Sequence, residues 1–169
     1  MTTMNRLACL AFAAAAFIGT ARSAAAQLPI PSLAVVGGVS HYSLDANGSA
    51  PFGAVRVDVP LLLLLAEGSL GAFHTTENGV GHTYVIPEAQ LQWQLLPVLV
   101  RPYLGVGAGW FRSVSGPSPQ ENDLTLSAAA GVRVGIPLTG LGGRAEVRVR
   151  EIGGSFSRHT VELTLGASW

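Results

Sequence analysis

The 169-residue chain sets ten arginines against ten acids, contains no lysine, and is 49% hydrophobic. That balance excludes the basic excess a nucleic-acid binder needs. A single cysteine, Cys9, excludes an intramolecular disulfide and a cysteine-based metal site.

Residues 1–26 read as a secretory signal peptide. Arg6 supplies the positive start, Leu7 to Ile18 an uncharged apolar run, and Ala24-Ala25-Ala26 an A-x-A cleavage site before Gln27. The run falls well short of the roughly 20 residues that cross a bilayer as a helix. Cys9 sits too early in it to mark a lipoprotein. The expected organisation is a signal peptide over 1–26 and one domain over 27–169. Beyond the signal, no segment reaches spanning length without Gly, Pro or charge, so a membrane location would require a closed barrel.

From there the chain alternates apolar and polar residues between turn-rich breaks, the period-2 pattern of strands. Leu33 to Leu44 comes first, then the break Asp45-Ala46-Asn47-Gly48-Ser49. Phe52 to about Leu62 sets Val55, Val57, Val59 and Leu61 against Ala54, Arg56 and Asp58. Gly68 to Thr76 follows, ending near Asn78-Gly79, a hairpin dipeptide. His82 to Leu95 opposes Ala89, Leu91, Trp93 and Leu95 to Glu88, Gln90, Gln92 and Gln94.

Val100 to Ser113 opposes Leu104, Val106, Ala108 and Trp110 to Gly105, Gly107 and Gly109, with Tyr103 and Phe111 on the glycine face. Leu124 to Ile136 opposes Leu124, Leu126, Ala128, Ala130, Val132 and Val134 to Thr125, Ser127, Gly131 and Arg133. Arg144 to Arg150 alternates Arg144, Glu146, Arg148 and Arg150 with Ala145, Val147 and Val149. His159 to Trp169 closes the set with Val161, Leu163, Leu165 and Ala167 opposite Glu162.

These are eight candidate strands, most near the roughly 9–11 residues a tilted strand needs to cross a hydrocarbon layer. Breaks after the odd strands are polar: 45–49, 77–81, 115–123 and 153–158. Those after the even strands, around 62–67, 96–99 and 138–142, are short or apolar. This alternating pattern, and a last strand ending on Trp169, resemble the small eight-stranded outer-membrane β-barrel family typified by the transmembrane domain of outer-membrane protein A. The resemblance implies an all-β, antiparallel up-and-down transmembrane barrel in the bacterial outer membrane, with both termini at the periplasmic side. It also implies partners: outer-membrane lipids, and the barrel-assembly machinery reading the C-terminal strand through Trp169. A monomer is expected, with no nucleic-acid partner.

Two features fit less neatly. Pro87 removes a ladder donor inside the fourth strand and is expected near the outer rim or at a bulge. The run Leu61 to Leu65 breaks alternation and blurs the turn between strands two and three.

In a barrel this narrow, side chains fill the interior. Alternation assigns Arg56, Asp58, Glu88, Arg133, Glu146, Arg148, Arg150 and Glu162 to it, with Arg144 at the margin. Such charges must pair. A plug of salt bridges is the expected reading, and a narrow ion path the alternative. The strand-five glycines are expected to make room for the arginines. Their spacing lacks a nucleotide-binding loop. Trp93, Trp110 and Trp169 fall near strand ends on the apolar face, as membrane-girdle residues should. The inverse, a soluble barrel with that face inward, would leave an exterior rich in Gly and Gln with very few charges.

One constellation bears on catalysis. His41-Tyr42-Ser43 has the His-x-Ser spacing of lipid A-modifying outer-membrane hydrolases, and Ser157 and His159 lie near the outer end of the last strand. The four histidines are scattered, so spacing supports no metal site. The function expected is therefore an integral outer-membrane component with a structural or surface-interaction role, without catalysis or cofactor. A lipid A-modifying hydrolase and a small-solute pore are the alternatives.

Overall fold

The computed structural model describes residues 31–169 except 45, 62–63, 78–79, 96–98, 116–121, 137–138 and 155–157. The expected signal peptide over 1–26, the Asn78-Gly79 turn and Ser157 lie outside the described residues.

Eight strands form one closed antiparallel barrel: β1 (Ser32–Ser43), β2 (Asn47–Leu61), β3 (Leu64–Glu77), β4 (Val80–Gln94), β5 (Val100–Ser115), β6 (Asn122–Gly135), β7 (Gly142–Ile152) and β8 (Arg158–Ser168). Each pairs with its sequence neighbours, and β1 closes on β8 from Ala34↔Ser168 to Ser43↔His159. Leu33 and Trp169 exchange both backbone hydrogen bonds at 2.9 Å. The described chain ends therefore meet at one end of the barrel, the terminal end. The other end, which carries the connections after β1, β3, β5 and β7, is the loop end.

Closure explains the period-2 pattern, because every residue on a barrel strand faces either the lumen or the outside. On β2, Ala54, Arg56 and Asp58 are buried while Val55 and Val57 are exposed. On β8, Leu163 and Leu165 are exposed and Glu162 is buried. Apolar side chains line the outside around the barrel, from Val35 and Val39 on β1 to Val106 on β5 and Val147 on β7. Trp93, Trp110 and Trp169 all lie on that face.

Several boundaries differ from the sequence reading. β2 begins at Asn47 and β3 runs to Glu77, so the strands continue where apolar contrast has ended. The hydrogen-bond ladder does not need that contrast. β3 begins at Leu64, not Gly68, which brings Glu67 into a strand and into the lumen. Pro87 sits at mid-strand, paired across β3 with Leu70, rather than at the rim. The register shift in β4 lies between Thr83 and Tyr84 instead. The β4–β5 register is the same on either side of Pro87, Val85↔Arg112 before it and Glu88↔Gly109 after it.

The seam that closes the barrel depends on a close approach at Gly38. A Cβ there would overlap the backbone carbonyl of Leu163 on β8. Gly38→Ala is predicted to destabilise the barrel by about 1–3 kcal/mol through overpacking, seen as a lower urea midpoint in vesicles. An unchanged midpoint would show that the seam is looser than this.

Candidate functional site: the charged lumen and the outer rim

The inward column of β7 supplies Arg144, Glu146, Arg148 and Arg150, spaced two residues apart on one face. Three arginines on one strand repel one another unless the opposite wall answers them. It does so with Asp58 on β2, Glu67 on β3 and Glu88 on β4, the neighbouring β8 adds Glu162, and β2 and β6 add Arg56 and Arg133.

Arg148 reaches three carboxylates: Glu88 at 2.5 Å, Glu67 at 2.7 Å and Glu146 at 3.0 Å. Arg144 bonds Glu67 at 2.6 Å and Glu146 at 3.1 Å. Arg56 bonds Glu146 at 2.7 Å. Arg150 holds Glu88 at 2.9 Å and also pairs with Glu162. Arg133 grips both oxygens of Asp58, at 2.5 and 3.1 Å, a bidentate geometry that favours Arg over Lys. Tyr103 donates to Glu146 at 2.5 Å, and Gln92 donates to Glu67 at 2.9 Å.

The described network thus sets Arg56, Arg133, Arg144, Arg148 and Arg150 against Asp58, Glu67, Glu88, Glu146 and Glu162, five against five. Sequence reasoning found nine of these and assigned Glu67 to a turn. Glu67 is the hub, within 4 Å of Arg56, Arg133, Arg144 and Arg148. The signal for it was parity, since Glu67 continues the odd-numbered face of Gly71, Phe73 and Thr75.

The glycines of β5 do make room, though not for arginines. A side chain at Gly105 would meet Gln90 and Gln92, one at Gly107 would meet Ser127 and Glu88, and one at Gly109 would meet β4 backbone. They let the carboxylates and amides of β4 lie flat against β5, where the arginines of β7 can reach them.

Toward the loop end the lumen changes character. Tyr42, Phe52, Phe73, Tyr84, Ile86, Phe111 and Ile152 form a buried cluster. Tyr84 and Phe111 stack with ring centroids 4.7 Å apart, Phe73 lies 5.1 Å from Tyr84, and Tyr42 lies 5.8 Å from Phe73. The Tyr42 hydroxyl meets Thr75 Oγ1 at 2.5 Å. This aromatic layer above the ions was not anticipated. Its members share the inward parity of their strands, but parity does not show that they sit at one height.

Outside, the apolar belt gives way near the loop end to His41 and Ser49, His74 and Thr83, Arg112, and His159. His41 Nδ1 lies 2.6 Å from Ser49 Oγ, and His74 Nδ1 lies 3.0 Å from Thr83 Oγ1. His41 and Ser43 share the outer face, as their spacing requires, yet His41 is bonded to β2 instead. Ser43 stands opposite His159. Among the described residues no cluster of His, Cys, Asp or Glu could hold a metal ion.

No family model and no curated protein matches the chain. Solved structures do match its fold. Neisserial surface protein A superposes with a TM-score of 0.67 at 13% identity, covering 82% of this chain and 94% of that one. Ail of Yersinia pestis, solved with the heparin analogue sucrose octasulfate, gives 0.55 at 15% identity over 82% and 97%. A major outer membrane protein of Thermus thermophilus gives 0.54 at 14% over 83% and 99%. The chain forms a closed barrel with an outward apolar belt, the face a transmembrane barrel presents to lipid. Its fold is that of the small eight-stranded outer-membrane β-barrels.

Proposed function

We propose that the protein is a structural and surface-interaction component of the outer membrane whose lumen is a plug and not a passage. The observation that carries this reading is the filled interior: five ion-paired arginines, four of them buried and Arg133 half-buried, beneath a stacked aromatic layer. An ion entering the lumen would have to break pairs already satisfied and then pass Phe73, Tyr84 and Phe111. The loop end then faces outward, the two termini face the periplasm, and the barrel works as a monomer delivered by the assembly machinery through the strand ending at Trp169.

Planar-bilayer recording of the purified protein tests the plug. Silence over a wide voltage range is the expected result, and steady unitary openings would favour the pore. For delivery, deleting Trp169 should lower the amount of heat-modifiable barrel recovered from outer membranes. Wild-type recovery would remove the assembly role assigned to that residue.

A further inference from the structure

The barrel register sets three arginines side by side on the lumen wall. Arg101 on β5 is paired with Arg133 on β6, and Arg133 is paired in turn with Arg144 on β7. All three have the inward parity of their strands, as the buried Tyr103, Ala129 and Glu146 do. The row lies at the terminal end, because β5 begins at Val100, β6 ends at Gly135 and β7 begins at Gly142. Arg133 and Arg144 both lie over the ring of Tyr103, 5.1 and 5.8 Å from its centroid. The Arg101 guanidinium lies over β6, its Nη2 3.6 Å from the place a Cβ on Gly135 would occupy.

Like charges directly opposed on neighbouring strands repel, and the acids that answer this row are shared. Arg133 takes both oxygens of Asp58. Arg144 bonds Glu67 and Glu146, and each of those also answers Arg56 and Arg148. Donors are left over. Arg133 Nε and Arg144 Nε and Nη1 are buried and make no hydrogen bond among the described residues. Arg144 Nη1 lies 3.6 Å from Asp58 Oδ2, beyond hydrogen-bond reach. A buried charged donor without an acceptor is costly, and these stand on adjacent strands of one row. Arg101 is exposed and Arg133 keeps 14% of its side chain exposed, so the row is approached from the terminal end.

From this placement we propose that the terminal mouth of the lumen is a binding site for a phosphate-class oxyanion. The anion sits between Arg101 and Arg133, against Arg144. Its oxygens supply the acceptors that Arg133 and Arg144 lack, and its charge offsets the repulsion along the row. Forked guanidinium donors suit a tetrahedral oxyanion with several acceptor oxygens. Free inorganic phosphate and the headgroup of a phospholipid offer the same chemistry.

The test uses the full chain, purified from outer membranes in an uncharged detergent. Heat-modifiable migration confirms that each variant is folded. Calorimetric titration with sodium phosphate, against sodium chloride at matched ionic strength, reads the free anion. Titration with dihexanoyl phosphatidylglycerol reads the headgroup. The wild type should show one saturable site in at least one of these arms, and none for chloride. Saturation by inorganic phosphate assigns the site to the free anion, and saturation by the lipid alone assigns it to a headgroup. Arg101→Gln should weaken binding roughly tenfold or more, and Arg133→Gln further still. Arg112→Gln, on the outer face near the loop end, should bind as the wild type does. A folded wild type that saturates in neither arm overturns the proposal while leaving the barrel reading intact. Unchanged affinity in Arg101→Gln, which alters only the exposed mouth, also overturns it, as does an equal loss in Arg112→Gln.

Discussion

Replacing Arg148 with alanine is expected to destabilise the folded barrel by about 3–5 kcal/mol, the cost of breaking a buried ion pair from one side. Arg148 is 1% exposed and answers Glu67, Glu88 and Glu146 together. Its loss leaves five lumen carboxylates facing four guanidiniums, with an uncompensated negative charge held away from bulk water. Urea unfolding in vesicles reads the difference directly. Arg158→Ala is the comparison, because its pair with Asp123 at 2.7 Å lies at the loop end with both side chains partly exposed. That substitution should cost no more than about 1 kcal/mol. Equal costs for the two would mean that water reaches the lumen network as freely as it reaches the rim.

The outer face gives the second large effect. Val106 lies midway along β5, outward and 65% exposed. With lipid around it, Val106→Arg should cost about 2–4 kcal/mol, the penalty for a cation at the bilayer midplane. Val114 shares the outward parity of Val106 but lies beyond Arg112, near the loop end. Val114→Arg should cost only about 0–1 kcal/mol. A depth-independent pair of values would argue that this face does not meet hydrocarbon.

Much of this architecture is legible in the sequence because each strand divides two solvents. Val55 and Val57 against Arg56 and Asp58, or Leu163 and Leu165 against Glu162, alternate because one face of the strand meets an apolar environment and the other a polar one. The strand ends were harder to read. Asn47-Gly48-Ser49 is polar on both faces, so nothing in the pattern shows the ladder continuing through it. Near the other end, Leu61 to Leu65 is apolar on both faces, and the turn could slide along it, which hid Glu67.

Partnerships were less legible still. Arg56 and Glu146 are 90 positions apart and meet at 2.7 Å only because the barrel closes and its strands slant. The same slant gathers Tyr42, Phe73, Tyr84 and Phe111 into one layer from four strands. Alternation states which face a residue takes, not its height or its neighbour across the lumen. That is why the sequence showed charges needing partners but not the aromatic lid above them. It is also why His41 and Ser43 looked like a pair, when the register turns His41 to Ser49 and Ser43 to His159.

The central claim is that the apolar face points outward into lipid. Trp93, Trp110 and Trp169 all lie on that face, each about half exposed (46%, 54% and 52%). They are the only tryptophans in the chain, so intrinsic fluorescence reports on them without any substitution. The direct measurement compares that fluorescence for the protein reconstituted in vesicles of brominated and unbrominated phospholipid. Strong quenching by the brominated chains is predicted. Emission of equal intensity in the two lipids would place the tryptophans inside the barrel and contradict the account.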